Sequence, residues 1–290
     1  VFIYREIERG IESMAWPKIS VGSSDFAEYR KGDYYYVDKT GLIEELLKTP
    51  GIKVTLITRP RRFGKTMNMS MLAEFFDIRK DSRPIFSGLK IADNKELCEA
   101  WMNQWPVIHV TFRSVFGSCF KDAYSMIEAV IAELYKQHIY LLENPEMMVY
   151  DREIFDRIAG KKASGEEIKN SLLFLTRLLG QYYGKTVILL IDEYDVPLAK
   201  ASDKGYYEEM LYVIRGILQA LKDNSFLHLA VVTGCLRIAK ESIFTGTNNL
   251  VSDTITDTRL NEYFGFIQKD VEQILRDAGS IDHLERVKSW

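Results

Sequence analysis

Short apolar runs recur along the chain at Val54 to Thr58, Val107 to Phe112, Thr186 to Ile191 and Leu227 to Val232, with a weaker one from Val251 to Thr256. Their continuous apolar character is that of strands buried on both faces. Between them, apolar positions repeat at helical spacing over Leu42 to Leu47, Met67 to Phe76, Ala123 to Leu142, Ser171 to Tyr183 and Tyr206 to Leu221. Strands alternating with helices predict a parallel sheet of about five strands with helices on both faces, an α/β three-layer sandwich. No internal repeat, low-complexity tract or Pro/Gly/Ser linker interrupts the pattern, so one main domain is expected. After Phe266 the pattern turns to short helices, expected to cap the carboxyl edge of the sheet.

Composition narrows the function classes. With 290 residues, 47% apolar and 27% charged, the chain has a sizeable core and is not disordered. Its net charge is 38 − 41 = −3, so no global field holds a polyanion, and contact with nucleic acid would need a local basic patch. Cys98, Cys119 and Cys235 are scattered without CxxC spacing, which argues against a disulfide frame or a zinc site and fits a reducing compartment such as the cytosol. No apolar run approaches the ~18 residues of a membrane span, and Arg5, Glu6, Glu8 and Arg9 stand where a signal peptide would be apolar. A cytoplasmic protein with no membrane partner is expected. The chain begins without Met and stops at Trp290 after a helical pattern, as a piece of a longer protein would.

The chemistry starts where the first strand runs into Arg59-Pro60-Arg61-Arg62-Phe63-Gly64-Lys65-Thr66 and then a helix. A phosphate-binding loop needs a glycine where the backbone nears the phosphates and helix N-terminal N–H groups for the anion. It also needs a lysine for the β/γ oxygens and a Ser/Thr for magnesium. Gly64, Lys65 and Thr66 supply these, with Arg61, Arg62, Phe63 and Met67 flanking them. The first position of GxxxxGK[ST] is the exception, because Arg59 stands there.

A second element is Val187-Ile188-Leu189-Leu190-Ile191-Asp192-Glu193, an apolar run that ends in two acids at the carboxyl edge of the sheet. Asp192 is the candidate magnesium ligand with Thr66, and Glu193 the candidate base for an attacking water. Leu227 to Val232 ends at Thr233, a candidate sensor of the γ-phosphate that reads equally as an ordinary strand-end threonine. Arg237 is the candidate cis arginine, with Lys240 and Asn249 near it. His109 and His228 lie in apolar runs and read as satisfied core histidines. No Asn-Lys-x-Asp string is present to read a guanine base; the nearest, Asn94-Lys95-Glu96-Leu97, lacks the acid.

These blocks, together with Ser24-Asp25-Phe26, Tyr34-Tyr35-Tyr36-Val37-Asp38-Lys39-Thr40, Ile191-Asp192-Glu193-Tyr194-Asp195, Arg237 to Leu250 and Tyr263-Phe264-Gly265-Phe266, resemble the predicted AAA-ATPase-like family of bacteria. The resemblance runs from about Lys18 to Trp290, and an arginine in place of the first loop glycine is the family's own habit. It implies a P-loop NTPase sandwich of the additional-strand, catalytic-glutamate type with a small helical C-terminal lid, and ATP and magnesium as cofactors. It also implies a continuation that commonly carries a PD-(D/E)XK nuclease-like domain. The organisation expected is residues 1–17 as an N-terminal helical extension, 18–260 as the ATPase core, and 261–290 as the start of a lid or linker. Phe26 or Tyr36 would stack on the adenine, although Tyr34 to Tyr36 also reads as an edge strand; Asp38 or Thr40 would cap a helix.

The function expected is a magnesium-dependent ATPase or ATP-driven switch acting on a C-terminal effector. The alternative is a nucleotide-gated or non-hydrolysing scaffold, motivated by an Arg59 side chain able to fill the site. Arg59, Arg61 and Arg62 would pair with phosphates, with acids of the same chain, or with a neighbouring subunit. Self-association therefore stays open, and nucleic acid enters only indirectly.

Overall fold

The computed structural model describes residues 18, 22–49, 51–235, 244 and 250–288. The anticipated N-terminal extension over residues 1–17 lies outside them, as do Arg237, Lys240 and Asn249. Among the described residues, five strands form one parallel sheet: β1 (Val54–Thr58), β2 (Val107–Thr111), β3 (Val187–Asp192), β4 (Leu227–Gly234) and β5 (Leu250–Asp253). Their order is β2-β3-β4-β1-β5, so β4 lies between the strand that precedes the glycine loop and the strand that ends in the acids.

Side chains alternate across a strand, and both faces of this sheet are covered. Leu189 and Ile191 of β3 pack with Ile127 and Leu175, from helices Phe120–Lys136 and Ser171–Tyr183. Ile188 and Leu190 join Leu72 and Phe75 of helix Lys65–Phe76 on the opposite face. All six residues of β3 are buried. This two-sided burial explains why the strands read as unbroken apolar runs.

Several expected elements are shorter or different. The predicted helix Ala123 to Leu142 is Phe120–Lys136 followed by a 3-10 turn, Ile139–Glu143, and Tyr206 to Leu221 likewise ends in a 3-10 turn after Ile217. Helices Val149–Ala159 and Val196–Lys204 also form. Tyr34 to Tyr36 is not an edge strand, since the Tyr34 N–H donates to the Tyr29 carbonyl and the Tyr35 N–H to that of Lys18. Helix Gly41–Leu47 has no capping bond from the Thr40 side chain; Asp38 Oδ1 instead accepts from the Thr40 N–H and hydroxyl. Helix Gln268–Asp277 follows Phe266 as expected. No helix among the described residues is long and apolar enough to cross a membrane.

Candidate phosphate-loop site

The parallel register gathers the site at the carboxyl edge. Thr111 stands opposite Asp192, Ile57 opposite Thr233 and Thr58 opposite Gly234, so the ends of β1, β2, β3 and β4 lie side by side along one edge of the sheet. The chain leaves β1 through Arg59 to Phe63 and enters the twelve-residue helix Lys65–Phe76 at Gly64, whose φ of 75° is left-handed. Glycine takes that conformation without steric cost, and it lets the loop close onto the helix N-terminus.

Lys65 is buried, and its ammonium donates to the carbonyls of Arg59 and Pro60, both at 2.9 Å. Thr66 Oγ1 donates to Asp192 Oδ2 at 2.8 Å. The other Asp192 oxygen accepts from the Thr233 hydroxyl, and that same hydroxyl accepts the Glu193 N–H at 3.3 Å. The glycine loop and both acids are thus joined by one chain of hydrogen bonds. Thr66 and Asp192 present hard oxygen donors without sulfur or imidazole, the donor set a magnesium ion takes beside phosphate oxygens.

Asp192 and Glu193 are neighbours in unlike settings. Asp192 is fully buried, whereas Glu193 is half-buried, has a backbone φ of 54° and lines the cavity above. Burial pushes the Glu193 carboxyl above its ordinary value, and the adjacent Asp192 charge adds to this, while Lys65 and Arg113 act in the opposite sense.

The cavity has a volume of about 860 Å³. Arg62, Phe63, Gly64, Lys65, Thr66 and Met67 line its loop side; Tyr36, Val37 and Lys39 form a second side, and Tyr263, Phe266 and Ile274 a third. The third side is tied to the second by Lys39, which pairs with Asp270 and donates to the Glu262 carbonyl at 2.6 Å, and by Tyr35, whose hydroxyl donates to Asp277 at 2.6 Å. It is tied to the loop by Asn68 Nδ2 on the Tyr263 carbonyl at 2.8 Å and by the Gly265 N–H on the Phe63 carbonyl at 3.0 Å. Gly265 has a φ of 74°, and a Cβ there would lie 3.0 Å from the Phe63 ring, so a side chain would be strained in its backbone and would push that ring aside.

Several expectations need correction. Phe26 does not stack on a base: it is fully buried against Tyr36 and Phe86, with ring centroids 5.3 and 4.9 Å away. Thr233 is also fully buried and does not line the cavity; it stands beside Asp192 and donates its hydroxyl to that carboxylate. Arg61 is exposed and outside the lining. Arg59 does not fill the loop; its guanidinium is buried against β5, with Nη2 2.5 Å from Asp253 Oδ1. His109 has burial pushing its imidazole down, but its Nε2 has no partner among the described residues, so it is not a satisfied core histidine. His228 does pair, through Nδ1 with Thr186 at 3.1 Å.

Lys39, Asn68, Asp253 and Asp270 were not among the site residues expected. Lys39 lies in the Tyr34 to Thr40 string that carries the family resemblance; the others carry no local pattern that marks them.

An uncharacterised protein from the vnfD 5′ region of Azotobacter chroococcum mcd 1 is 30% identical over 282 residues, covering 96% of this chain. The chain spans 48% of that protein's length. No solved structure matches the chain. A family model described as Predicted AAA-ATPase matches residues 20–244, from before the glycine loop to beyond β4, and the chain belongs to that AAA-ATPase-like family.

Proposed function

We propose that this chain is a magnesium-dependent module that binds and hydrolyses ATP, of the additional-strand, catalytic-glutamate type. The observation that carries the reading is the bond from Thr66 to Asp192, which joins a glycine-loop helix to the acid at the end of β3. The insertion of β4 between β1 and β3 supports the subtype.

In this reading Gly64 and the helix N-terminus receive the β- and γ-phosphates. Lys65 leaves the Arg59 and Pro60 carbonyls to pair with their oxygens. Thr66 and Asp192 would hold a magnesium ion, which neutralises phosphate charge when bound. Glu193 accepts a proton from the attacking water. The water oxygen bonds to the γ-phosphorus as the bond to the bridging oxygen breaks, leaving ADP and phosphate. Thr233 positions both acids rather than touching nucleotide. The base lies among the apolar lining residues, with Tyr36 and Met67 on one side and Phe266 and Ile274 on the other.

The segment from Asn261 onward is a lid over this site, and an effector beyond it is what turnover would drive. Calorimetry with ATP and magnesium tests the reading. Micromolar binding by the parent, lost in Lys65→Ala, is expected; equal binding by both proteins would overturn it.

A further inference from the structure

Arg59 occupies the loop position where the phosphate-loop pattern keeps glycine, and it is 1% exposed. One guanidinium nitrogen, Nη1, donates to the carbonyls of Thr58 at 2.9 Å and Asp253 at 3.0 Å. The other, Nη2, donates to Asp253 Oδ1 at 2.5 Å and to Asn261 Oδ1 at 3.0 Å. The Phe264 ring lies 5.3 Å from the guanidinium carbon. One planar fork therefore holds the end of β1, the end of β5 and the first turn of the cavity's C-terminal side.

The backbone of the same residue faces the site. The Arg59 N–H donates to the Gly234 carbonyl at 3.1 Å, and its carbonyl accepts from the Lys65 ammonium. An anion that draws Lys65 away changes the partners of this carbonyl, on the residue whose side chain grips Asp253 and Asn261.

We propose that Arg59 is a positioning residue that couples occupation of the phosphate loop to the C-terminal side of the cavity, residues 261–277; this rests on the ATP-binding reading above. Lysine is a poor substitute. It keeps the charge but presents a compact ammonium that cannot span the four acceptors. Asp253 would retain Arg259, whose Nε lies 3.6 Å from Oδ2, so Arg59→Lys does not strand a buried carboxylate.

The test is hydrogen exchange with and without ATP and magnesium, alongside steady-state kinetics, for the parent, Arg59→Lys and Asn261→Ala. In the parent, nucleotide should slow exchange over residues 261–277. Arg59→Lys should raise KM about tenfold, lower kcat by less than about threefold, and lose most of that protection. Asn261→Ala removes a single acceptor at the edge of the cluster and should shift both readouts in the same direction by less. Parental KM and parental nucleotide-dependent protection in both variants would overturn the coupling. If the parent binds no ATP, the functional reading fails separately. The coupling is then judged without ligand: faster exchange at Phe63 to Thr66 in Asn261→Ala supports it, and parental exchange there overturns it.

Discussion

The floor of the cavity and its outer wall are held in different ways. At the floor, Asp192 and Thr233 are fully buried, and Thr66, Asp192, Thr233 and Glu193 form one hydrogen-bonded chain anchored on strand ends. The wall joins segments from opposite ends of the described chain through Lys39 and Asp270, 231 residues apart, and Tyr35 and Asp277, 242 residues apart. The strands below the floor are packed on both sides, whereas the wall is rooted in the core at its near end by Leu260 and Phe264 and farther out is held by the polar contacts of Lys39 and Tyr35, with Phe266 66% exposed. The groups proposed to react stand at or next to strand ends of the packed sheet, and a segment from the far end of the described chain encloses them.

Rate is where this contrast should break most visibly. Glu193→Gln is expected to keep ATP binding and lose about 10²- to 10⁴-fold in turnover, measured by phosphate release. Parental turnover would remove Glu193 from the role of base.

Two phenylalanines sharpen the contrast next. Phe26 is buried in the core, so Phe26→Ala should cost about 3–5 kcal/mol in urea unfolding. Phe266 is exposed at the wall, so Phe266→Ala should change stability by less than about 0.5 kcal/mol. The same change should weaken ATP binding by about 1–3 kcal/mol if the ring stacks on the base, as read by calorimetry.

The smallest effect concerns pH. The folded state raises the Glu193 carboxyl above its ordinary value through burial, so it holds this proton more tightly than the unfolded chain does. That contribution to stability is present below the unfolded value and lost as pH rises through the folded one. Glu193→Gln should therefore be more stable than the parent at about pH 8 and lose that advantage near about pH 4, measured by urea midpoints. An unchanged difference across the range would mean that the carboxyl is not perturbed by its setting.

Much of the floor was legible beforehand. Val187 to Asp192 reads as a strand because two-sided burial selects an unbroken apolar run, and an acid at its end falls at the carboxyl edge of a parallel sheet. Gly64-Lys65-Thr66 reads as a phosphate loop because a glycine, a lysine and a hydroxyl stand together between a strand and a helix, and Gly64 is left-handed there. Both signals are local.

Partners and depth were not legible in that way. The resemblance implies a base-stacking role for Phe26, but packing against Phe86 puts the ring in the core. Thr233 ends its strand as a sensor would, but it is fully buried and its hydroxyl is taken up by the Asp192 carboxylate on the neighbouring strand. Arg59 reads from its position as able to fill the loop, yet β5 brings Asp253 to its guanidinium from 194 residues away in the chain. Periodicity and turn chemistry act over a few residues and therefore show in the order of amino acids. Burial depth and the pairing of distant charges depend on which segments the packed sheet brings together, and no single stretch of sequence carries that information.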